Sequence, residues 1–226
     1  MEYLSRMKVG LIVYANKWTG AGAVAELSCR ALHAAGIEAR LLFVGGRNLE
    51  RRLNGSPWAE PVLFKERSPA GLRSNIRAIQ GLAEASDIVI CHLPHDHLLC
   101  VAAGVHRRVP LVRAFRNPRH IRRDPYHRFL DRCLTAALCA NSNLERDLRR
   151  LTADLPTAVM PVPIEDRFRP AKGSDLRHRL EVPSGAPVLG SVGKLAKGRG
   201  FGRLLVTAAR LEAPAHVLVV GHGERQ

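Results

Sequence analysis

Apolar and polar positions along the chain repeat in one pattern: a short unbroken apolar run, a polar loop, then an amphipathic stretch. Residues 8–14, KVGLIVY, make the first run, which has the valine and isoleucine content of a strand buried on both faces. The glycine-bearing loop ANKWTGAG follows. Residues 21–35 then place Val24, Leu27, Ala31 and Leu32 at helical spacing, and Gly36 is a helix stop. Residues 39–44 predict a second strand. Further strands are expected at 61–64, 87–91, 109–115, 137–140 and 157–160. Helices are expected between them at 70–85, 95–105, 125–136 and 143–151, the last capped by Asn141 or Ser142. Strands and helices alternating at these lengths predict an α/β fold with a parallel sheet and helices on both of its faces.

After residue 160 the texture changes. Pro161, Pro163, Pro170, Pro183 and Pro187 interrupt a polar stretch with one short predicted helix, 174–180, so this segment reads as a connector. A strand at 188–192, a helix at 200–211 and a strand at 216–220 follow. This last segment echoes the first, since PVLGSV, a basic glycine loop, a helix and HVLVVGHG repeat the order of VGLIVY, a glycine loop, a helix and LLFVGG. The expectation is a Rossmann-like domain over 1–163, then a linker and the opening of a second Rossmann-like domain over 164–226. A single βαβ unit cannot cover both faces of its sheet, so the second domain reads as C-terminally incomplete.

Composition adds a charge. The 226 residues carry a formal net charge of +15, and only six of the 35 basic residues are lysine. Arginine holds phosphates in a planar fork, which suits anionic partners, although a general arginine bias would give the same count. The charge concentrates in residues 107–132, which include RHIRRDPYHR. Aromatic content is 5%, too little for a stacking platform, so no nucleic-acid partner is expected. No apolar run approaches the roughly 20 residues of a spanning helix, and the first eight residues lack the apolar stretch of a signal peptide. A cytoplasmic protein is expected. Cys29, Cys91, Cys100, Cys133 and Cys139 form an odd set without a CxxC pair and read as buried reduced thiols.

Three stretches carry candidate chemistry. In TGAGAVA, Gly20 and Gly22 stand at a predicted helix start, where free backbone N–H groups attract an anion; a loop needing positive φ explains them equally well. A nicotinamide fingerprint would put the first glycine directly after the strand and an acid at the end of the second strand. Five residues separate Tyr14 from Gly20, and the second strand ends FVGGR. A reductase using Gly20 and Gly22 is therefore the weakest of the readings kept. In GSVGKLAKGRGFGRLL, Lys194 is followed by Leu195, so this is not a P-loop. Gly193, Lys194, Lys197 and Arg199 still lie between a buried strand and a helix start, which suits a diphosphate. In CHLPHDHLLC, the H-x-x-H-D-H order differs by one residue from a known metal-ligand spacing, and the surrounding βα pattern favours a polar cleft edge at His92 over metal ligation.

Taken in order, SVGKLAKGRGFGRLLVTAARL…HVLVVGHGERQ, MPVPIEDRFRP and CANSNLERDLRR resemble the motifs of retaining GT-B glycosyltransferases of family four. The resemblance runs from Lys8 to Gln226. It implies the GT-B N-terminal half followed by the start of the nucleotide-sugar domain. It also implies sugar transfer from a nucleotide-sugar to an acceptor with retention, with no metal and no cofactor beyond the donor itself. Lys194 stands where the family has arginine and Arg199 where it has lysine, both on the donor diphosphate. Gly193 belongs to the same loop, Gly20 and Gly22 match the N-terminal loop, and Gly221 and Gly223 match the turn beside the nucleotide. Arg116 occupies the place of the family's active-site histidine, and His92 faces the same cleft; these two are the expected catalytic pair. The family's paired glutamates would lie beyond Gln226. The basic first domain suits a lipid-linked or lipopolysaccharide acceptor at an anionic inner-membrane face. The alternative is a non-catalytic nucleotide- or anion-binding half of a transferase.

Overall fold

The structure is a computed structural model and describes residues 7–15, 18–46, 48–63, 68–165, 167–169, 175–212 and 215–223. Its contacts divide the chain into two compact units, Met1–Arg167 and Phe168–Gln226.

The first unit is one parallel sheet. Its strands are β1 (Lys8–Val13), β2 (Glu38–Val44), β3 (Ala59–Leu63), β4 (Ile88–Cys91), β5 (Leu111–Phe115), β6 (Ala136–Cys139) and β7 (Thr157–Val159), in the spatial order β3-β2-β1-β4-β5-β6-β7. The register is continuous across the middle, with Leu11 beside both Leu41 and Ile90, and Val89 beside Leu111. The unbroken apolar runs are explained by this: β1 and β5 are covered on both sides, and Leu11, Ile12, Leu41 and Leu111 are fully buried.

Helices α1 (Gly20–Ala34) and α2 (Asn48–Leu53) pack on β1 and β2 and close one core around Cys29, Phe43 and Leu49. Helices α3 (Pro69–Glu84), α4 (Pro94–Ala102) and α6 (Ser142–Arg149) close the other core, through Ile79, Leu99 and Leu148. Between them in sequence lies α5 (Pro125–Asp131). Asn141 caps α6 by accepting from the Leu144 N–H at 3.0 Å. The sequence pattern gave no sign of α2, which buries only Leu49 and Leu53. It also ran α5 on to residue 136, whereas the helix stops at Asp131. The Thr135 N–H is already bonded to the Leu111 carbonyl, so the chain has turned to enter β6. Cys29, Cys91, Cys100 and Cys139 are buried free thiols and Cys133 is half-buried.

The second unit contains α7 (Leu176–Arg179), β8 (Val188–Val192), α8 (Phe201–Ala208) and β9 (His216–Val220). The expected helix at 174–180 reduces to α7; residue 174 lies outside the described residues. Strands β8 and β9 pair in parallel from Val188↔His216 to Val192↔Val220. No residue of α8 is buried, as a lone βαβ unit has too little surface to build a core. No helix among the described residues is long and apolar enough to cross a membrane.

Candidate functional site

The strand order reverses between β1 and β4. The chain runs from β1 outward to β3, then returns to β4 and proceeds the other way. In such sheets the crevice at the carboxyl ends of these two strands is the ligand position. A single buried acid builds that crevice here. Asp96, in the first turn of α4, accepts from the Tyr14 N–H at 2.7 Å through one oxygen. Its other oxygen takes the N–H groups of His92 at 3.1 Å and Leu93 at 2.7 Å. The chain leaving β1 is thereby tied to the chain leaving β4. Asp96 is fully buried, and burial pushes its carboxyl up to about 7 against the opposing pull of these three N–H groups and of Arg113.

On this frame the two expected polar residues meet. The Arg116 Nη1 donates to His92 Nδ1 at 2.7 Å. A guanidinium has no acceptor, so Nδ1 accepts and the His92 proton sits on Nε2. His92 is buried; burial, then the charge of Arg116, drives its pKa down to about 3. The imidazole is therefore a neutral donor at Nε2. Burial also lowers Arg116, to about 10. Among the described residues, neither His92 Nε2 nor Arg116 Nη2 has a hydrogen-bond partner. Both donors are buried, and an oxygen-rich or anionic ligand would satisfy them on reaching the switch point.

The three histidines of CHLPHDHLLC diverge. His92 turns to Arg116. The His95 ring meets Tyr14 edge-on at 4.4 Å between centroids. His97 lies under the sheet, where its Nδ1 accepts from Arg113 Nη1 at 3.3 Å, and Arg113 pairs with Asp131 at 3.5 Å. Among the described residues, no group of three or more metal-binding side chains converges.

Gly20 and Gly22 open α1 directly after the β1 loop. Thr19 caps the helix by accepting from the Gly22 N–H at 3.4 Å, and the first turn holds no acid to offset the positive helix end. Neither glycine has positive φ, which removes the conformational explanation for them. A Cβ at Gly20 would meet open space.

In the second unit, Lys194, Lys197 and Arg199 are exposed in the loop between β8 and α8. Arg199 is flanked by Gly198 and Gly200, with φ of 80° and 86°. Residues 195–203 line a depression of about 430 Å³. The Gly193 N–H bonds the Val220 carbonyl at 2.9 Å and the Leu195 N–H bonds that of His222 at 3.1 Å. A Cβ at Gly221 would strike the Gly193 carbonyl, and one at Gly223 the Leu195 carbonyl. Gly221 and Gly223 thus let the loops after β8 and β9 run against each other.

Two features had little or no sequence signal. Asp96 reads locally as a helix-start acid, which it is, but its bond to Tyr14 spans 82 positions. Arg113 looks like a flaw in the apolar run PLVRAF; its partner Asp131 comes a whole helix later.

No protein-family pattern matches the sequence, and no curated protein matches it. Solved structures do. A glycosyltransferase from Rickettsia africae aligns with a TM-score of 0.76 at 15% identity, over 96% of this chain and 60% of that one. HepE from Anabaena in complex with UDP aligns with a TM-score of 0.76 at 17% identity, over 96% and 61%. Sucrose-phosphate synthase from Thermosynechococcus elongatus aligns with a TM-score of 0.67 at 15% identity, over 96% and 62%. At these identities the likeness is one of fold. The chain has the Rossmann-like α/β architecture of GT-B glycosyltransferases. It spans about 60% of the length of the structures it matches.

Proposed function

We propose that this chain belongs to a GT-B transferase of the family-four kind, which moves a sugar from a nucleotide-sugar to an acceptor with retention. The single observation that carries the reading is the basic glycine loop after β8. Lys194, Lys197 and Arg199 are exposed there, on backbone kept open by Gly198 and Gly200. As the sugar leaves, negative charge grows on the diphosphate, and cations held beside it lower the barrier. In the first unit, His92 Nε2 and Arg116 Nη2 supply two donors for sugar hydroxyls or phosphate oxygens. Solved HepE holds UDP, and UDP-glucose in another crystal, so a UDP-sugar is the first donor to try. The arginine-rich first unit supports a lipid-linked or lipopolysaccharide acceptor at the cytoplasmic membrane face, with no cofactor beyond the donor.

Calorimetry against UDP-, GDP- and ADP-glucose and NADPH tests this. One nucleotide-sugar should bind, and Lys194→Ala or Arg199→Ala should each weaken it about tenfold or more, the worth of one charge-assisted contact. Binding of NADPH alone would end the transferase reading.

A second reading, binding without turnover, is favoured by Arg116 standing where the family has its histidine. Tight nucleotide-sugar binding with no nucleotide released, with or without acceptors, would support it.

A further inference from the structure

Helix α5 and the loop before it present an exposed surface. At about 100° per residue, the inward arc of α5 is made of His127, Leu130 and Asp131, which are half-buried, buried and buried. The outward arc carries, in order around the helix, Tyr126, Phe129, Arg132 and Arg128. Tyr126 is 50% exposed and Phe129 60%. Arg122 and Arg123, also exposed, lead into the helix. Residues 116–132 hold two acids. Asp131 is turned inward to Arg113, and Asp124 is engaged with the backbone N–H and ring of His127. The arginines of this face therefore have no neighbouring carboxylate along the segment to neutralise them.

Arg128 and Arg132 border a cavity of about 490 Å³ together with Asp154, whereas Arg122 and Arg123 do not border it. Two large exposed aromatic side chains beside arginines match the composition of segments that lie at a lipid–water boundary. A duplex would use the arginines but would leave Phe129 in water. We propose that α5 together with Arg122 and Arg123 docks on an anionic lipid bilayer. Tyr126 and Phe129 would enter the headgroup boundary and the arginines would sit on lipid phosphates. The inference deepens the membrane-face part of the proposed function and needs no sugar transfer. A chain that bound no nucleotide-sugar could still pass its test.

The test is co-sedimentation of the full chain with phosphatidylcholine vesicles, with and without phosphatidylglycerol, and with duplex DNA as competitor. Binding should require the anionic lipid. Arg122→Glu with Arg123→Glu should weaken it at least about 25-fold, near fivefold per arginine. Phe129→Ser should weaken it about tenfold. All these side chains are exposed, so unchanged circular dichroism is expected. Phe129→Trp adds an independent readout: its emission should shift to the blue only with anionic vesicles. The proposal is overturned if the charge-reversed and Phe129→Ser chains bind as the parent does. It is equally overturned if Phe129→Trp emission stays unshifted on bound vesicles, or if duplex DNA binds more tightly and displaces the vesicles.

Discussion

Arg113→Met should leave the protein as stable as before or more stable, while Asp131→Ala should weaken it strongly. Arg113 is 1% exposed, in the middle of a parallel sheet. Its Nη1 reaches His97 at 3.3 Å and Asp131 at 3.5 Å, but Nε and Nη2 have no hydrogen-bond partner among the described residues. Those two nitrogens carry three of the five N–H groups of a guanidinium. At about 1 kcal/mol or more for each unmade bond, burial there is opposed by roughly 3 kcal/mol. The Phe115 ring, 4.2 Å from the guanidinium carbon, returns about 1–2 kcal/mol, and the ion pair part of the remainder. Methionine has similar reach and no polar hydrogens. The substitution should therefore change stability by between about zero and 3 kcal/mol in the favourable direction.

Asp131→Ala does the opposite. It leaves the buried guanidinium uncompensated, at about 3–5 kcal/mol. In the double variant most of that penalty should vanish, a coupling of at least about 2 kcal/mol. Urea unfolding at neutral pH reads all four corners of the cycle, provided the m-value holds constant. A loss above about 2 kcal/mol in Arg113→Met, or below about 1 kcal/mol in Asp131→Ala, would refute the argument. Either result would mean that the guanidinium is better satisfied than its neighbours indicate.

Two further predictions concern pH and backbone approach. His92 and His97 each fall to about 3 in the fold from 6.5, whereas Asp96 rises to about 7 from 3.8. Near pH 5 the unfolded chain holds two protons at these histidines, while the folded chain holds one, at Asp96. Stability should then fall on acidification by roughly 1 kcal/mol per pH unit from about pH 6, and the fall should level off below about pH 3, where the folded histidines take up their own protons. Urea midpoints across this range check it, and a flat or rising profile would contradict it. Gly221→Ala should destabilise the second unit by on the order of 2–3 kcal/mol, because the new methyl meets the Gly193 carbonyl. Hydrogen exchange at the Gly193 amide should accelerate. Gly190→Ala, with open space at its Cβ, should cost about 1 kcal/mol or less; equal effects at the two positions would sink the steric argument.

The legibility of this chain follows interaction range. β1 was readable because a strand buried on both faces has to be an unbroken apolar run, and KVGLIVY is one. Helix α2 was not, because its two apolar positions, Leu49 and Leu53, are too few to set a period. The meeting of His92 and Arg116 was half-readable: both follow strand ends, and adjacent parallel strands bring such positions together. The hydrogen bond that fixes the His92 proton on Nε2 was not readable, since it depends on the packed direction of both side chains. Arg113 was invisible in a stronger sense. A hydrophobicity pattern treats a buried charge as an interruption, and the partner that makes it tolerable is defined only once α5 has folded across.

The two candidate loops are held by opposite devices, and that difference predicts how each responds to change. At the switch point a side chain holds the backbone, since one buried carboxylate collects three N–H groups from the two strands flanking the crevice. Altering Asp96 therefore displaces His92 without touching any ligand. In the second unit the backbone holds itself. Gly221 and Gly223 admit a carbonyl against the chain, and Gly198 and Gly200 take φ values that side chains resist. Arg199 stands exposed on that loop, between Gly198 and Gly200. Substituting Arg199 should consequently change affinity and leave stability alone. Substituting the glycines should change stability first, with affinity following only because the loop has moved.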